Sequence, residues 1–118
     1  MQSKIKNELG TIAIENEVIA RIAGLSAMEC YGVVGMAAKS LRDGFVHLLK
    51  IESLSKGVKI ETLENGELVI DLHIIVEYGT NLVAIANSLK DNVRYKVEES
   101  VGMNVRNVNV LIEGVRID

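Results

Sequence analysis

"LVIDLHIIVEYGTNLVAIANSL", residues 68–89, changes its hydrophobic period in the middle. Up to residue 76 every second side chain is apolar, which predicts a strand with one core face. Beyond residue 81 the apolar side chains recur every three or four positions, which predicts an amphipathic helix of about 20 residues. The strand's core face comprises Leu68, Ile70, Leu72, Ile74 and Val76, and the helix stripe comprises Leu82, Ile85, Ala86, Leu89, Val93 and Val97. A helix of this kind must cover one face of a sheet to hide its stripe.

The joint between the two periods consists of Gly79, Thr80 and Asn81. The free amides of a helix N-terminus can hold an anion, but Thr80 or Asn81 can bond to the same amides as a cap. We favour the structural interpretation, with Gly79 serving the turn and Thr80 or Asn81 the cap. Gly102 follows the helix at the position where a left-handed C-terminal cap is expected.

Two further alternating patterns adjoin this stretch. Residues 58–63 and 67–77 flank Asn65-Gly66, a dipeptide that tolerates the positive φ angles of a tight turn, and together they predict an antiparallel hairpin. Residues 104–118 alternate again, with Leu111 on the face opposite the core, and predict a closing strand.

The N-terminal half is less regular. Residues 1–9 are polar and unpatterned, so we expect a loose leader followed by a single domain over residues 10–118. Ile12 and Ile14 alternate as in a half-buried strand, and an apolar pattern at helical spacing follows, comprising Val18, Ile19, Ile22, Ala23 and Leu25. Val33-Val34 fits a short buried strand, and residues 36–41 and 45–50 each allow a helical turn or two. The predicted fold is an α+β two-layer sandwich with helices on one face of a mixed sheet, in the order β-α-β-(short helices)-β-β-α-β.

Composition excludes several classes of protein. The net charge is −3 over 118 residues, which gives no general attraction to nucleic-acid phosphates. The single cysteine, Cys30, cannot form an internal disulfide, and with only His47 and His73 besides there is no spaced set of zinc ligands. No apolar run approaches the ~20 residues that cross a bilayer, and the first residues lack a secretion signal. We therefore expect a cytoplasmic protein without direct membrane insertion.

No residue pattern names a reaction. Gly32-Val33-Val34-Gly35 has the spacing of a loop that clamps nucleic acid in KH domains, but its apolar centre favours a buried strand end. His73 could face a cleft or a partner, although a hydrogen-bonded strand histidine is the commoner situation. Cys30 is expected to be a small buried hydrophobe. We accordingly predict no catalytic residue, no cofactor and no metal.

A possible interaction surface comprises Tyr95, Arg94, Leu111 and His73. On a helical wheel Tyr95 lies well away from the helix's apolar stripe, so the core cannot bury it without displacing that stripe. Tyrosine is enriched at interface hot spots, and an apolar side chain such as Leu111 on an uncovered sheet face also favours contact with another protein. A free sheet edge offers a second route, through backbone hydrogen bonds.

Several segments together resemble the alkaline-shock-protein family of envelope stress proteins from Gram-positive-type bacteria. They are GTIAIENEVIARIAG (residues 10–24), SKGVKIE (55–61), the long stretch over residues 68–102 with its Tyr-Gly joint, and VNVLIEGVRI (108–117). Glu15 stands where the family often has serine. The resemblance covers about residues 9–117.

The resemblance implies a small cytoplasmic, non-enzymatic protein of cell-envelope homeostasis that can self-assemble and that in some members is held at the membrane by an anchor protein. A short stand-alone subgroup is often encoded beside a dihydroxyacetone-kinase-like protein, which makes such a kinase-like protein a candidate partner. We expect an interaction or scaffold protein in envelope or lipid-linked stress physiology. Alternatives are a small-ligand or acyl-chain carrier, accessory to a fatty-acid-kinase-like enzyme, and a nucleic-acid-binding module.

Overall fold

The computed structural model describes residues 2–7, 9–39, 46–48 and 51–117. Its strands are β1 Gln2–Asn7, β2 Gly10–Glu15, β3 Val33–Lys39, β4 Val46–Leu48, β5 Val58–Thr62, β6 Leu68–Glu77 and β7 Val105–Arg116. Its helices are α1 Asn16–Met28 and α2 Leu82–Val101, with a three-ten helix over Ile51–Gly57. The α+β class and the mixed sheet are confirmed.

The central strand of the main sheet is β6. Along one edge it pairs antiparallel with β5 at residues 68–72 and with β3 near its other end, while β4 extends the sheet beyond β3. Along its second edge β6 pairs in parallel with the whole of β7. The connection from β6 to β7 is α2, so these three elements form a β-α-β unit. Antiparallel and parallel pairs thus share one sheet.

The core lies between this sheet and the two helices. The five residues predicted for the core face of β6 are all fully buried, and every intervening residue is less so. The buried stripe of α2 is Ile85, Leu89, Val93, Val97 and Val101. Leu82, which was predicted to belong to it, is instead exposed because it starts the helix beyond the edge of the core.

The face of α1 was predicted less well. Ile19 and Ala23 are buried as expected, but Val18 and Leu25 are exposed. Small residues take their place in the core, because α1 packs closely against α2 and the three-ten helix. At Gly24 an added Cβ would lie 3.3 Å from the Leu54 Cβ, which shows how near that helix approaches.

The expectation of a loose leader is wrong for Gln2–Asn7, because β1 pairs antiparallel with β2 as a separate two-stranded ribbon. The buried Ser3 hydroxyl holds this ribbon to the domain through hydrogen bonds with Asn16 Oδ1 (2.8 Å) and Thr62 Oγ1 (2.6 Å). Buried Ser3 alternates with exposed Lys4, as expected for a strand with one buried face. Because both residues are polar, hydrophobic patterning does not reveal this alternation.

The short helices predicted after Val33-Val34 are also wrong where the structure can be compared with them. Met36–Lys39 continue β3, and Val46–Leu48 form β4, while residues 40–45, 49 and 50 lie outside the described part of the chain. Met36 and Ala37 are fully buried between neighbouring strands and helices. A short apolar run of this kind fits a helix or a strand equally well by its spacing alone.

The β5–β6 hairpin is confirmed, with a different turn from the expected one. Gly66 has φ +87°, whereas no residue other than glycine has positive φ among those described, so Asn65 does not adopt it. Gly66 N donates to Leu63 O (2.9 Å), and Asn65 Oδ1 accepts from Glu67 N (3.0 Å). The loop is therefore a three-residue connection with one left-handed glycine.

Candidate interaction surface

The joint between β6 and α2 is satisfied by its own side chains. Asn81 is the N-cap of α2, and its Oδ1 accepts from Ala84 N at 3.1 Å. Gly79 has φ +85°, and the Thr80 hydroxyl donates to Glu77 O at 2.6 Å. Thr80 therefore closes the turn rather than capping the helix. At the other end Gly102 has φ +79°, and its N–H donates to Glu98 O.

His73 lies on the sheet face that points away from the helices. Its Nδ1 is 2.8 Å from Glu113 Oε1 on the neighbouring strand β7, and both side chains are about one-quarter to one-third exposed. The pairing of β6 with β7 shifts between Ile74 and Ile75, so the strand bulges next to Glu113. The bulge aims this carboxylate at His73, and no sequence pattern indicated it.

Leu111 is the direct register neighbour of His73 across the β6–β7 pair. Its side chain is 39% exposed, on the face that the described helices leave uncovered. On the same face Asn109 Nδ2 donates to Asp71 Oδ1 at 2.8 Å. His73 and Leu111 thus share one mixed polar and apolar surface, which we call the outer face: residues 69, 71, 73 and 75 of β6 with residues 107, 109, 111 and 113 of β7.

Tyr95 and Arg94 lie elsewhere. Tyr95 is 68% exposed and lines a groove between α1 and α2 with Ser26, Glu29 and Lys96. Arg94 Nη2 donates to Arg106 O (3.2 Å) at the start of β7. The four residues predicted as one surface therefore divide into an outer-face pair, a side chain beside the start of β7, and a tyrosine in the groove between α1 and α2.

The edge formed by β7 is the feature that the sequence indicated least clearly. This strand spans 12 residues and pairs with β6 alone among the strands that the structure describes. Beyond Leu111, Val115 is 47% exposed and Ile117 is 72% exposed. Alternation predicted the strand, but its position at the end of the sheet depends on the parallel crossover through α2.

The other candidate sites have ordinary structural roles. Cys30 is buried, and its Sγ accepts a hydrogen bond from Asn92 Nδ2 (3.3 Å). Gly32 has φ +87°, and a Cβ there would lie 2.5 Å from the Ile85 Cδ1, so this glycine serves close packing at the start of β3. Within the described residues no group of three or more His, Cys, Asp or Glu side chains could hold a metal ion. The His47 side chain lies outside the described part.

Several open grooves occur on the surface of the described part. One of about 360 Å³ lies beside the start of α1, over the apolar side chains of Ala20, Val58 and Ile60. Another of about 260 Å³ lies beside His73 and Glu113, with Lys56 at its margin. No helix of the described residues is both long enough and apolar enough to cross a bilayer.

These features define a small α+β domain with a half-exposed sheet face and a long strand at its edge. The chain belongs to the alkaline shock protein 23 family, described as having a cell envelope-related function, and the family model matches residues 4–117.

Relatives share most of the chain. The Bacillus subtilis (strain 168) protein YloU, described as uncharacterised, is 40% identical over 99% of this chain and 98% of its own length. A stress response regulator gls24 homolog of Streptococcus pyogenes serotype M3 is 26% identical over 91% of this chain and 59% of its own. A solved variant of the MamM CTD has a TM-score of 0.49 at 14% identity, over 83% of this chain and 93% of that one. The family model and the relative YloU confirm the resemblance to alkaline-shock proteins, and the family description confirms the link to the cell envelope.

Proposed function

We propose that this protein acts in cell-envelope physiology by binding other protein molecules, as an interaction or scaffold protein without catalytic activity of its own. The observation that carries the proposal is the outer face together with the adjoining edge of β7. There Leu111, Val115 and Ile117 remain exposed along a strand that pairs with no second strand among the described residues. Exposed apolar groups next to unpaired backbone favour association.

The polar interactions of the outer face support a binding role for this surface. His73 and Glu113 bond to each other, as do Asp71 and Asn109, so these side chains are held in fixed positions. A surface with fixed polar groups around an exposed leucine resembles the polar rim and apolar centre of protein interfaces. The candidate partners are a dihydroxyacetone-kinase-like protein, a membrane anchor protein and a second copy of the chain.

The proposal is tested by crosslinking in cells that naturally make the protein, followed by quantitative mass spectrometry of what the tagged chain retains. We expect Leu111→Lys to lose partners that wild type retains, because a charge would enter the apolar centre of the surface. Leu9→Lys is the matched control, since Leu9 is 98% exposed at the tip of the β1–β2 ribbon.

Tyr95→Ala distinguishes an interaction through the helices from one through the sheet, because Tyr95 lies in the groove between α1 and α2. Loss of partners only in Tyr95→Ala would move the interaction to the helices. Equal retention by wild type, Leu111→Lys and Tyr95→Ala would overturn the proposal.

A further inference from the structure

The unpaired backbone groups of β7 can be located from the alternation of the ladder. Leu63 N donates to Glu67 O, so the odd-numbered residues of β6 bond towards β5. Leu68 N donates to Asn104 O and Tyr78 N to Arg116 O, so the even-numbered residues of β6 bond towards β7.

Because Ile70 pairs in parallel with Val108, its backbone bonds to the neighbours of Val108. The N–H and C=O groups of Val108, Val110 and Ile112 then point away from the sheet.

The side chains along the β7 edge lack the charges and prolines that usually prevent an edge strand from pairing with another strand. Residues 107–112 contain no charged side chain, and the chain contains no proline. The charges at both ends are already engaged, Arg106 with Glu67 (3.4 Å) and Glu113 with His73 (2.8 Å). By contrast β5, on the other side of β6, is short and carries exposed Lys59 and Glu61. Charges of that kind protect sheet edges, so of β5 and β7 it is β7 that is open to another strand.

A second copy of β7 can form hydrogen bonds with the outward N–H and C=O groups of this edge. Two antiparallel copies related by a two-fold axis present the same outward groups to each other, which is the arrangement of an isologous dimer. An axis at Leu111 would place Arg106 opposite Arg116 of the second copy, which is repulsive. An axis at Val110 avoids this, places Val108 opposite Ile112, and sets Asn107 opposite Glu113 of the second copy.

We infer that the protein dimerises by antiparallel pairing of β7 with β7 of a second copy, with Val110 on the two-fold axis. The two main sheets then form one continuous sheet, with both helical layers on the same side. This inference rests on the proposed function and specifies one partner for its surface. A strand pair alone buries little area, and we therefore expect a dissociation constant on the order of micromolar.

The first test is light scattering and sedimentation of the full chain from about 1 to 500 μM, a range chosen to span that expected affinity. Wild type should pass from monomer to dimer. Val110→Pro removes an outward N–H, which costs the fold no ladder bond, and should weaken dimerisation roughly tenfold or more because two symmetric hydrogen bonds are lost. Val110→Thr keeps the N–H and a similar shape, and should dimerise like wild type. Circular dichroism and melting verify that both variants fold.

The second test reports the register. In a Cys30→Ser background, Asn109→Cys and Leu111→Cys proteins are mixed and oxidised. The disulfide should join the two different proteins, because Val110 on the axis sets residue 109 opposite residue 111 at about 5 Å between Cα atoms. Rapid crosslinking within the Leu111→Cys protein alone would place the axis at Leu111 and overturn the stated register.

A wild type that stays monomeric throughout the range, or a folded Val110→Pro variant that dimerises like wild type, overturns the inference. Loss of dimer in Val110→Thr also overturns it, since the side chain rather than the backbone would then control association. If wild type is monomeric while Leu111→Lys still loses its cellular partners, the proposed function stands and only the identity of the partner is wrong.

Discussion

Tyr95 shows how a neighbouring side chain changes the chemistry of an exposed residue. A hydrogen bond with Glu99, one helical turn further on, raises the pKa of Tyr95 above its ordinary value near 10, and the negative charge of Glu99 and slight burial act in the same direction. The folded chain therefore holds the phenolic proton more tightly than the unfolded chain. The stabilisation from this proton is complete below the unfolded pKa and is lost as pH rises through the folded pKa.

Replacing Glu99 by Gln should lower the pKa of Tyr95 towards the ordinary value. Ultraviolet absorbance of tyrosinate measures it in a background of Tyr31→Phe and Tyr78→Phe, which leaves Tyr95 as the only titrating tyrosine of the chain's three. Glu29→Gln is the matched control, because Glu29 lines the same groove without being a cause of the shift. An equal pKa decrease in both variants, or in neither, would contradict this assignment.

For His73 the sequence predicted the sheet face on which it lies, but not the residue to which it bonds. Its place on the outer face follows from the alternation of β6, and a hydrogen-bonded histidine was the commoner expectation. Its partner, Glu113, is 40 residues away along the chain and reaches it through a bulge in a parallel pair. Register between distant strands is a property of the assembled sheet, so no local pattern could have identified this contact.

The N-terminal end of helix α2 is formed by the turn at Gly79 and the cap at Asn81. Gly79→Val should lower the free energy of unfolding by roughly 1–3 kcal/mol, because φ is positive there. Open space surrounds the position where a Cβ would lie, so backbone strain alone supplies this cost. Asn81→Ala should lower it by ~1 kcal/mol through loss of the bond to Ala84 N, whereas Asn81→Ser retains a cap and should cost far less. Chemical denaturation measures all three, and unchanged stability in Gly79→Val and Asn81→Ala would contradict the structural interpretation of the joint.

The strands and helices differ in how well the sequence predicted them. Strand β6 and helix α2 could be predicted because each has a long, regular apolar pattern. The alternation in β6 fits only a strand, and the spacing of three or four in α2 fits only a helix. In β3 the run Met36-Ala37-Ala38 is apolar on both faces, and such a run does not distinguish strand from helix. In β1 the buried residue is Ser3, whose hydroxyl is bonded to Asn16 and Thr62. Buried polar residues satisfied by distant partners are invisible to hydrophobic patterning.

For the molecule as a whole, charge gives a prediction about nucleic acid. At about 0.15 M salt, fluorescence anisotropy with mixed oligonucleotides should show no saturable binding below roughly tens of micromolar, since phosphate contacts dominate such affinities. The net charge is −3, and two arginines that could contact phosphate already have partners, Arg94 a backbone carbonyl and Arg106 the Glu67 carboxylate. Submicromolar binding that disappears on charge reversal of Lys90 and Arg94 would contradict this prediction.

The central position of β6 has a consequence for synthesis of the chain on the ribosome. One side of β6 is completed by strands that precede it in the sequence, but among the described residues its other side is completed by β7, which follows it. Until β7 has been synthesised, a strand as apolar as LVIDLHIIVE therefore lacks its parallel neighbour on that side. Contacts that close late and over long sequence separation slow folding and expose nascent chains to aggregation. The fraction of newly made chains that fold without aggregating should thus depend on how promptly residues 105–116 dock against β6.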